Sequence, residues 1–153
     1  MKYNNKVAII TGGARDIGKA ISIRLASEGV KVVINYLNND EQAKETMQTI
    51  QDAGGSCILV KGDATKNEDV LRIVEETKKH FGGEINMLVN VTGGLVARKL
   101  LEDMDADFWD YVMALNTRSA FLLTKHVAPL MPHGSAIVNF SSQAGRDGGG
   151  FGA

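Results

Sequence analysis

The stretch that decides the fold is Val7–Gly18, which reads VAIITGGARDIG and sets an apolar run directly before a glycine-rich turn. Val7–Ile10 is β-branched and short, as a buried strand is, and apolar residues then recur at helical spacing at Ile17, Ala20, Ile21 and Leu25. A turn of this kind brings backbone N–H groups at a helix N-terminus close to an anion. The stretch therefore predicts the first βα unit of a dinucleotide-binding fold, the alternative being a tight turn that binds nothing.

The same alternation of short apolar runs and helical periodicity continues to the end of the chain. Further strands are predicted at Val32–Ile34, Cys57–Val60, Ile85–Val91 and Ala136–Phe140. Helices are predicted over Ala43–Ala53, over Val70–Phe81 with Asn67 as N-cap, and from Phe108 to about Leu130. Strands that are apolar throughout and separated by helices indicate an α/β, Rossmann-type, doubly wound parallel sheet in the order 3-2-1-4-5. We expect residues 1–153 to form one dinucleotide-binding domain.

Composition excludes several classes of function. Net charge is −1, with 44% hydrophobic and 23% charged residues, so nothing predicts binding to nucleic acid or to a membrane surface. The three histidines show no spacing typical of a metal site. Cys57 is the only cysteine, and the first apolar run is too short for a signal segment, so we expect a cytoplasmic protein.

The glycine turn carries a resemblance to a known family. Thr11–Gly18 resembles the T-G-x-x-x-G-x-G turn of short-chain dehydrogenases/reductases, except that Asp16 stands in the place of the middle glycine. The resemblance implies that the turn contacts the cofactor through Gly12, Ala14, Arg15, Asp16, Ile17 and Gly18. Asp tolerates left-handed backbone geometry and is a good N-cap. We expect the Asp16 side chain to turn away from the pyrophosphate and cap the helix.

Two places in the sequence bear on the choice of cofactor. NAD-binding units carry an acidic residue at the end of the second strand, for the ribose 2′-hydroxyl. Here that region, Asn35–Asn38, holds no carboxylate before Asp40. Arg15 lies where similar reductases hold a 2′-phosphate with a basic residue, the less favoured alternative being a solvated turn residue. The sequence favours NADP(H) over NAD(H).

Two further segments resemble family motifs that line the cofactor. After the third strand, Asp63 matches an Asp whose carboxylate accepts from the adenine amino group, and Ala64 follows it. Asn90-Val91-Thr92-Gly93 resembles the N-N-A-G motif, with Asn90 and Gly93 retained. The resemblance implies that Asn90 ties strands together and that Gly93 leaves room for the nicotinamide side. Asp63 as an ordinary turn residue and Asn90 as a purely structural one are the alternatives.

Asn116 and Ser142 are the candidate catalytic residues. Asn116 lies inside the predicted long helix, level with Val112 and Ala120, and is predicted to point inward, where a buried amide needs partners. In the family the matching Asn bonds helix backbone and a water that relays protons, whereas a satisfied core Asn is the structural alternative. Ser142 matches the serine that hydrogen-bonds the substrate carbonyl, the alternative being a helix cap or turn. Nothing near Ser142 suggests a hydrolase triad.

The family's catalytic Tyr and Lys do not occur at the matching positions of this chain. By the family spacing the Tyr is expected just past Ala153, and strands six and seven later still, so the last predicted strand would be an open edge with an uncovered apolar face. We expect the sequence to be incomplete at its C-terminus.

The function that the resemblance implies is hydride transfer between NADP(H) and a ketone or secondary alcohol. The chain looks most like 3-oxoacyl-[acyl-carrier-protein] reductases of fatty acid biosynthesis. A small-molecule or acyl-thioester substrate and a homo-oligomer, tetramer or dimer, packed through the Phe108–Leu130 helix are expected. The alternative is a non-catalytic dinucleotide-binding module or inactive truncation. A flavodoxin-like domain explains the turn and Ser142 less well.

Overall fold

Five parallel strands form one sheet in the order β3-β2-β1-β4-β5 in the computed structural model, which describes residues 3–150. The strands are β1 Val7–Thr11, β2 Lys31–Tyr36, β3 Ser56–Lys61, β4 Met87–Asn90 and β5 Ala136–Asn139. The predicted fold class and strand order are confirmed. The order reverses between β1 and β4, so the carboxyl ends of these strands and of β2 flank one crevice.

Helices cover the sheet from both sides. They are α1 Asp16–Ser27, α2 Asp40–Asp52, α3 Asn67–Phe81, α4 Ala106–Met113, α5 Ser119–Val127 and α6 Gln143–Asp147. Successive strand residues point to opposite faces. Ile9 and Leu88 therefore pack in one buried cluster with residues of α3 and α5, and Ala8 and Ile10 in another with residues of α1 and α2. This burial on both faces explains why the strands are apolar throughout.

The fourth strand is shorter than the predicted Ile85–Val91, and at each end a side chain replaces one backbone hydrogen-bond partner. At its start, the Asn86 side chain accepts from the Val7 N–H at 2.9 Å and the Asn86 N–H donates to the Val7 carbonyl at 2.9 Å. At its end, the Val91 N–H donates to the side-chain hydroxyl of Thr11 at 3.0 Å instead of to a backbone carbonyl of β1. The apolar run in the sequence is therefore longer than the strand that pairs within the sheet.

The prediction of Asn67 as the N-cap of α3 is wrong. Lys66 occupies the cap position and Asn67 is the first helical residue. The side-chain oxygen of Asn67 instead bonds the Nε2 atom of His126 on α5, at 2.8 Å. The amide therefore joins two helices on the same face of the sheet.

The predicted helix from Phe108 to about Leu130 begins earlier and is interrupted. Asp105 caps α4 by accepting from the Phe108 N–H at 2.7 Å, and α5 ends at Val127 before a 3₁₀ turn at Ala128–Leu130. Between α4 and α5 lies a wide π turn, Ala114–Arg118, where the Ser119 N–H donates to Ala114. The Ser119 hydroxyl donates to the Leu115 carbonyl at 2.6 Å. Side-chain bonding of this kind stabilises a π turn inside a helix.

The β5 strand carries an exposed apolar face, as the sequence predicts. Val138 and Phe140 are 48% and 44% exposed. They line a mostly apolar groove of about 490 Å³ that extends to Ile21 and Leu25 of α1. Among residues 3–150 no element covers this side of β5.

The connection from β1 to α1 depends on direct backbone contact between two glycines. A Cβ atom added to Gly18 would lie 2.0 Å from the Gly12 carbonyl oxygen, far inside van der Waals contact. The first turn of α1 therefore lies against the glycine turn itself, with no room for a side chain at Gly18.

We expect Gly18→Ala to destabilise the protein by about 3 kcal/mol, because backbone must shift to admit the methyl group. Urea unfolding monitored by far-UV circular dichroism measures the change. Gly83→Ala is the matched control, since an added Cβ there has no heavy atom within 4 Å. Equal unfolding midpoints for the two variants would contradict the close packing.

Candidate functional site

The glycine turn is held to its neighbours by three hydrogen bonds. The Gly13 N–H donates to the Asn35 carbonyl of β2 at 3.0 Å, and the Ser22 hydroxyl of α1 donates to the Gly13 carbonyl at 2.9 Å. The Thr46 hydroxyl of α2 donates to the Ala14 carbonyl at 2.8 Å. Gly12 has φ +62°, a left-handed conformation that glycine adopts at no steric cost. The turn is thus a fixed feature at the carboxyl ends of β1 and β2.

The N-terminus of α1 faces the crevice with its first N–H groups free of helical bonds. The first bond back along this helix is from the Lys19 N–H to the Arg15 carbonyl, at 2.9 Å. The N–H groups of Asp16, Ile17 and Gly18 precede it. Such groups, with the positive end of the helix dipole, favour an anion. Together with the glycine cradle, they fit a pyrophosphate.

Asp16 adopts a left-handed backbone, which its residue type tolerates, but the prediction that it caps α1 is wrong. Its φ is +47°, and Arg15, not Asp16, occupies the N-cap position, without a side-chain cap. The Asp16 carboxylate lies 3.6 Å from Nε of Arg15, and the two side chains are 81% and 73% exposed. The helix begins one residue too early for Asp16 to cap it, so the carboxylate is left beside the guanidinium.

Polar side chains at the ends of β2 and β3 form the adjoining wall. The Asn35 amide donates to the Val60 and Gly62 carbonyls at 3.2 and 2.9 Å. Asp40, the first carboxylate after β2, accepts from the Tyr36 hydroxyl at 2.8 Å and from Lys61 at 2.9 Å. Hydrogen bonding by Lys61, and secondly by Tyr36, lowers the pKa of Asp40. The Asp40 carboxylate is thus ionised and already bonded.

The remaining predicted cofactor contacts differ in which of their groups are accessible. They are Asp63, Ala64 and Ile17. Oδ1 of Asp63 accepts from the N–H and the hydroxyl of Thr65, at 2.9 and 2.7 Å. The backbone N–H of Asp63 donates to the Asp69 carboxylate. The Ala64 side chain is buried in the core, so only its backbone can contact a ligand. Ile17 is 55% exposed at the start of α1 and offers an apolar surface.

The end of β4 is tied to both neighbouring strands. The Thr11 hydroxyl of β1 accepts from the N–H groups of Val91 and Thr92, at 3.0 and 3.1 Å. The Asn90 amide donates to the Asn139 side chain of β5 at 2.8 Å. Oδ1 of Asn90 is buried without a hydrogen-bond partner among the described residues. Asn90 thus has the strand-linking role that the resemblance implies.

Asn116 holds the segment that follows β4. Its Oδ1 accepts from the Gly94 N–H at 2.8 Å, and its Nδ2 donates to the Gly94 carbonyl at 3.0 Å and to the Val112 carbonyl at 2.9 Å. A Cβ atom on Gly93 would lie 2.8 Å from the same Oδ1. The amide is fully engaged, although Asn116 is exposed rather than buried as predicted. The wide turn and the neighbouring loop leave it at the surface.

Ser142 follows β5 and is the N-cap of the short helix α6. Its Oγ accepts from the Ala144 N–H at 3.2 Å. Ser142 thus has the helix-capping role that the sequence leaves open as its structural alternative. An accepting hydroxyl keeps its own proton free to donate. Because β4 and β5 are parallel neighbours, Ser142 lies at the same edge of the sheet as the Asn90–Asn139 pair.

Thr11 and Asn35 are site-forming residues that the sequence does not single out. Both are almost completely buried, and both connect one strand end to the next. The signal for each is a polar residue at the end of an otherwise apolar strand, where a buried polar group must have partners.

In residues 3–150, every helix is too short or too polar to cross a lipid bilayer. Over the same range, no three His, Cys, Asp or Glu side chains gather as metal ligands would.

Sequence comparison identifies relatives of this chain. The family model described as short chain dehydrogenase matches residues 6–153. A hydroxynaphthalene reductase-like protein of Metarhizium acridum is 37% identical over 91% of this chain and 51% of its own length. General stress protein 39 of Bacillus subtilis is 36% identical over 92% of the chain and 49% of its own. The chain thus spans about half the length of these curated relatives.

Solved structures agree with the sequence relatives. A double mutant of a Serratia marcescens short-chain dehydrogenase/reductase superposes with a TM-score of 0.94 at 31% identity, covering 99% of this chain and 61% of that one. A Burkholderia cenocepacia short chain dehydrogenase in complex with NADP gives 0.92 at 29% identity, covering 99% and 61%. An NADH-dependent reductase complexed with NAD gives 0.91 at 34%, covering 99% and 65%.

The glycine turn, the strand order and the match along almost the whole sequence lead to the same conclusion. The chain belongs to the short-chain dehydrogenase family.

Proposed function

We propose that this chain is the cofactor-binding part of an NADP(H)-dependent oxidoreductase that interconverts a ketone and a secondary alcohol. The observation that carries the proposal is the glycine cradle, in which Gly12 and Gly18 meet below the free N–H groups of α1. A nicotinamide dinucleotide bound there would supply the hydride. The residues of the chain bind and orient it and hold the reacting carbonyl.

Charge at the ribose end supports NADP(H) over NAD(H). Arg15 is 73% exposed at the turn, and a guanidinium suits a 2′-phosphate. Asp40 is bonded to Lys61 and Tyr36, so it is a poor acceptor for a free 2′-hydroxyl. The structural neighbours include one with NADP and one with NAD, so the preference rests on the residues of this chain.

Ser142 and Asn116 are proposed to act at the carbonyl end. Ser142 would donate the free proton of its hydroxyl to the substrate oxygen while accepting from Ala144. Asn116 would position the loop at Gly94 through its paired bonds and support proton relay, as the family resemblance implies. The acid that protonates the product oxygen is proposed to be the Tyr of the family's Tyr–Lys pair. Without it, the alternative function is a non-catalytic dinucleotide-binding module.

The proposed substrate is a small ketone or an acyl thioester, with 3-oxoacyl-[acyl-carrier-protein] reduction in fatty acid biosynthesis as the specific candidate. The net charge of −1 gives nucleic acid no electrostatic basis for binding. Cys57 is buried and free, in keeping with the proposed cytoplasmic location. Oxidation of NADPH by the protein in the presence of a 3-oxoacyl thioester tests the whole proposal, and binding of NADPH without turnover of any ketone would favour the non-catalytic module.

Exposed apolar side chains on α4 and α5 support a proposed homo-oligomer, a tetramer or dimer. Trp109 and Phe121 are 56% and 59% exposed. In an uninterrupted α-helix of about 3.6 residues per turn they would lie roughly a third of a turn apart. The extra residue of the Ala114–Arg118 turn returns them to nearly the same side, with Met113 between them. A continuous apolar stripe of this kind is typical of an interface.

Ser142→Ala should lower kcat about 100-fold, the usual loss when one hydrogen bond to a reacting oxygen is removed. The dissociation constant for NADPH should stay unchanged, because Ser142 lies at the far end of the crevice. Steady-state kinetics and fluorescence titration measure the two quantities. Ser141→Ala is the matched control, and equal kcat values for the two variants would assign Ser142 to helix capping alone.

Arg15→Gln should weaken NADPH binding about tenfold and NADH binding much less, because only NADPH carries the phosphate that the guanidinium bonds. Titration of nicotinamide fluorescence measures both constants. Arg24→Gln is the control, since Arg24 lies on the same helix and pairs with Glu28 at 2.7 Å. Equal weakening of NADPH and NADH would show that Arg15 does not recognise the 2′-phosphate.

Phe121→Asp should reduce the oligomer to smaller species, because a charge in an apolar interface is desolvated without a partner. Size-exclusion chromatography with light scattering measures the mass. Leu71→Asp, on α3 and 44% exposed, is the control that should leave it unchanged. An unaltered mass for both variants places the interface elsewhere.

A further inference from the structure

The Arg15 guanidinium lies beside a negatively charged side chain of the same chain, the carboxylate of Asp16. Oδ2 of Asp16 is 3.6 Å from Nε of Arg15, and both side chains extend into solvent. In the proposed function, this guanidinium receives the 2′-phosphate. The carboxylate is therefore already paired with the group that would bind the phosphate.

The backbone fixes Asp16 at this position. With φ +47°, the residue stands where a side chain is strained unless it is Asn or Asp, while the turn is tied to Asn35 and Ser22 on either side. Asp16 is also the first residue of α1, where a negative charge gains from the helix dipole. The Asp16 carboxylate is thus attracted by two features, the helix end and the guanidinium, and the second of these is the group that would bind the 2′-phosphate.

We propose that Asp16 is a specificity-determining residue. Its carboxylate competes with the 2′-phosphate for the Arg15 guanidinium and so weakens the binding of that phosphate. This inference rests on the proposed binding of NADP(H) at the turn. One positive and one negative side chain make the turn neutral, so the attraction for the doubly charged 2′-phosphate is reduced. The preference for NADPH over NADH is correspondingly smaller than Arg15 alone would give.

The test is Asp16→Asn, which removes the charge and keeps a residue that tolerates the left-handed backbone. Fluorescence titration should show a dissociation constant for NADPH that is roughly two to five times lower, the range that an exposed ion pair supports. The constant for NADH should change less. The affinity of the variant for NADPH should also fall more steeply with added salt, because its turn carries an unopposed positive charge.

Three further variants identify the cause. Asp110→Asn, on the exposed side of α4, makes the same change in net charge and should leave both constants as they are. Asp16→Gly removes the charge and relaxes the backbone; tightening in this variant but not in Asp16→Asn would attribute the effect to strain and overturn the proposal. In Arg15→Gln/Asp16→Asn the gain in NADPH affinity should disappear, since Asp16 acts through Arg15.

The outcomes separate this inference from the proposed function. Failure of the unaltered protein to bind either dinucleotide would remove the proposed function itself. Normal NADPH binding with an unchanged NADPH-to-NADH ratio in Asp16→Asn would overturn only the role of Asp16. Equal tightening of both cofactors would also overturn it, because the carboxylate would then oppose the shared pyrophosphate instead of competing for Arg15.

Discussion

The approach of Gly18 to the Gly12 carbonyl is the constraint on which the rest of the site depends. A Cβ atom 2.0 Å from that oxygen cannot be accommodated, so only a glycine lets α1 begin against the turn. Where α1 begins decides which N–H groups are free, and these are the groups that face the end of β1. The same contact sets the position of Arg15 and Asp16. A steric requirement at one residue thus determines the electrostatics of the crevice.

The edge of the sheet around this turn is built from polar side chains that cross between strands. Thr11 accepts two N–H groups from the segment after β4, and Asn35 donates to two carbonyls at the end of β3. Parallel strands end without a hairpin, so their last backbone groups need partners from elsewhere. Supplying those partners from buried side chains keeps the crevice rigid and leaves the helix N-terminus free for a ligand.

The fold was predictable from the sequence because five apolar runs and the turns between them leave few topologies open. The site was predictable only where the backbone decides it, as at Gly12, Gly18 and Gly93. Asp16 illustrates the limit: its residue type tolerates the left-handed φ, but its failure to cap follows from the helix beginning one residue early. Thr11 and Asn35 are marked in the sequence only as polar residues in apolar strands, and their hydrogen-bond partners on neighbouring strands are not visible in any local pattern.

The wide turn at Ala114–Arg118 could not be predicted from hydrophobic periodicity either. It bears on two properties of the chain, the position of Asn116 and the apolar stripe on the surface. The Asn116 amide bonds both Gly94 and the Val112 carbonyl from within this locally unwound segment. The Ser119 hydroxyl bonds the Leu115 carbonyl, whose usual partner, the Ser119 N–H, bonds Ala114 instead. By helix geometry, the same extra residue would bring Trp109 and Phe121 to nearly the same side of the helix. A change that restored regular helix would therefore move Asn116 away from Gly94 and split the apolar stripe at the same time.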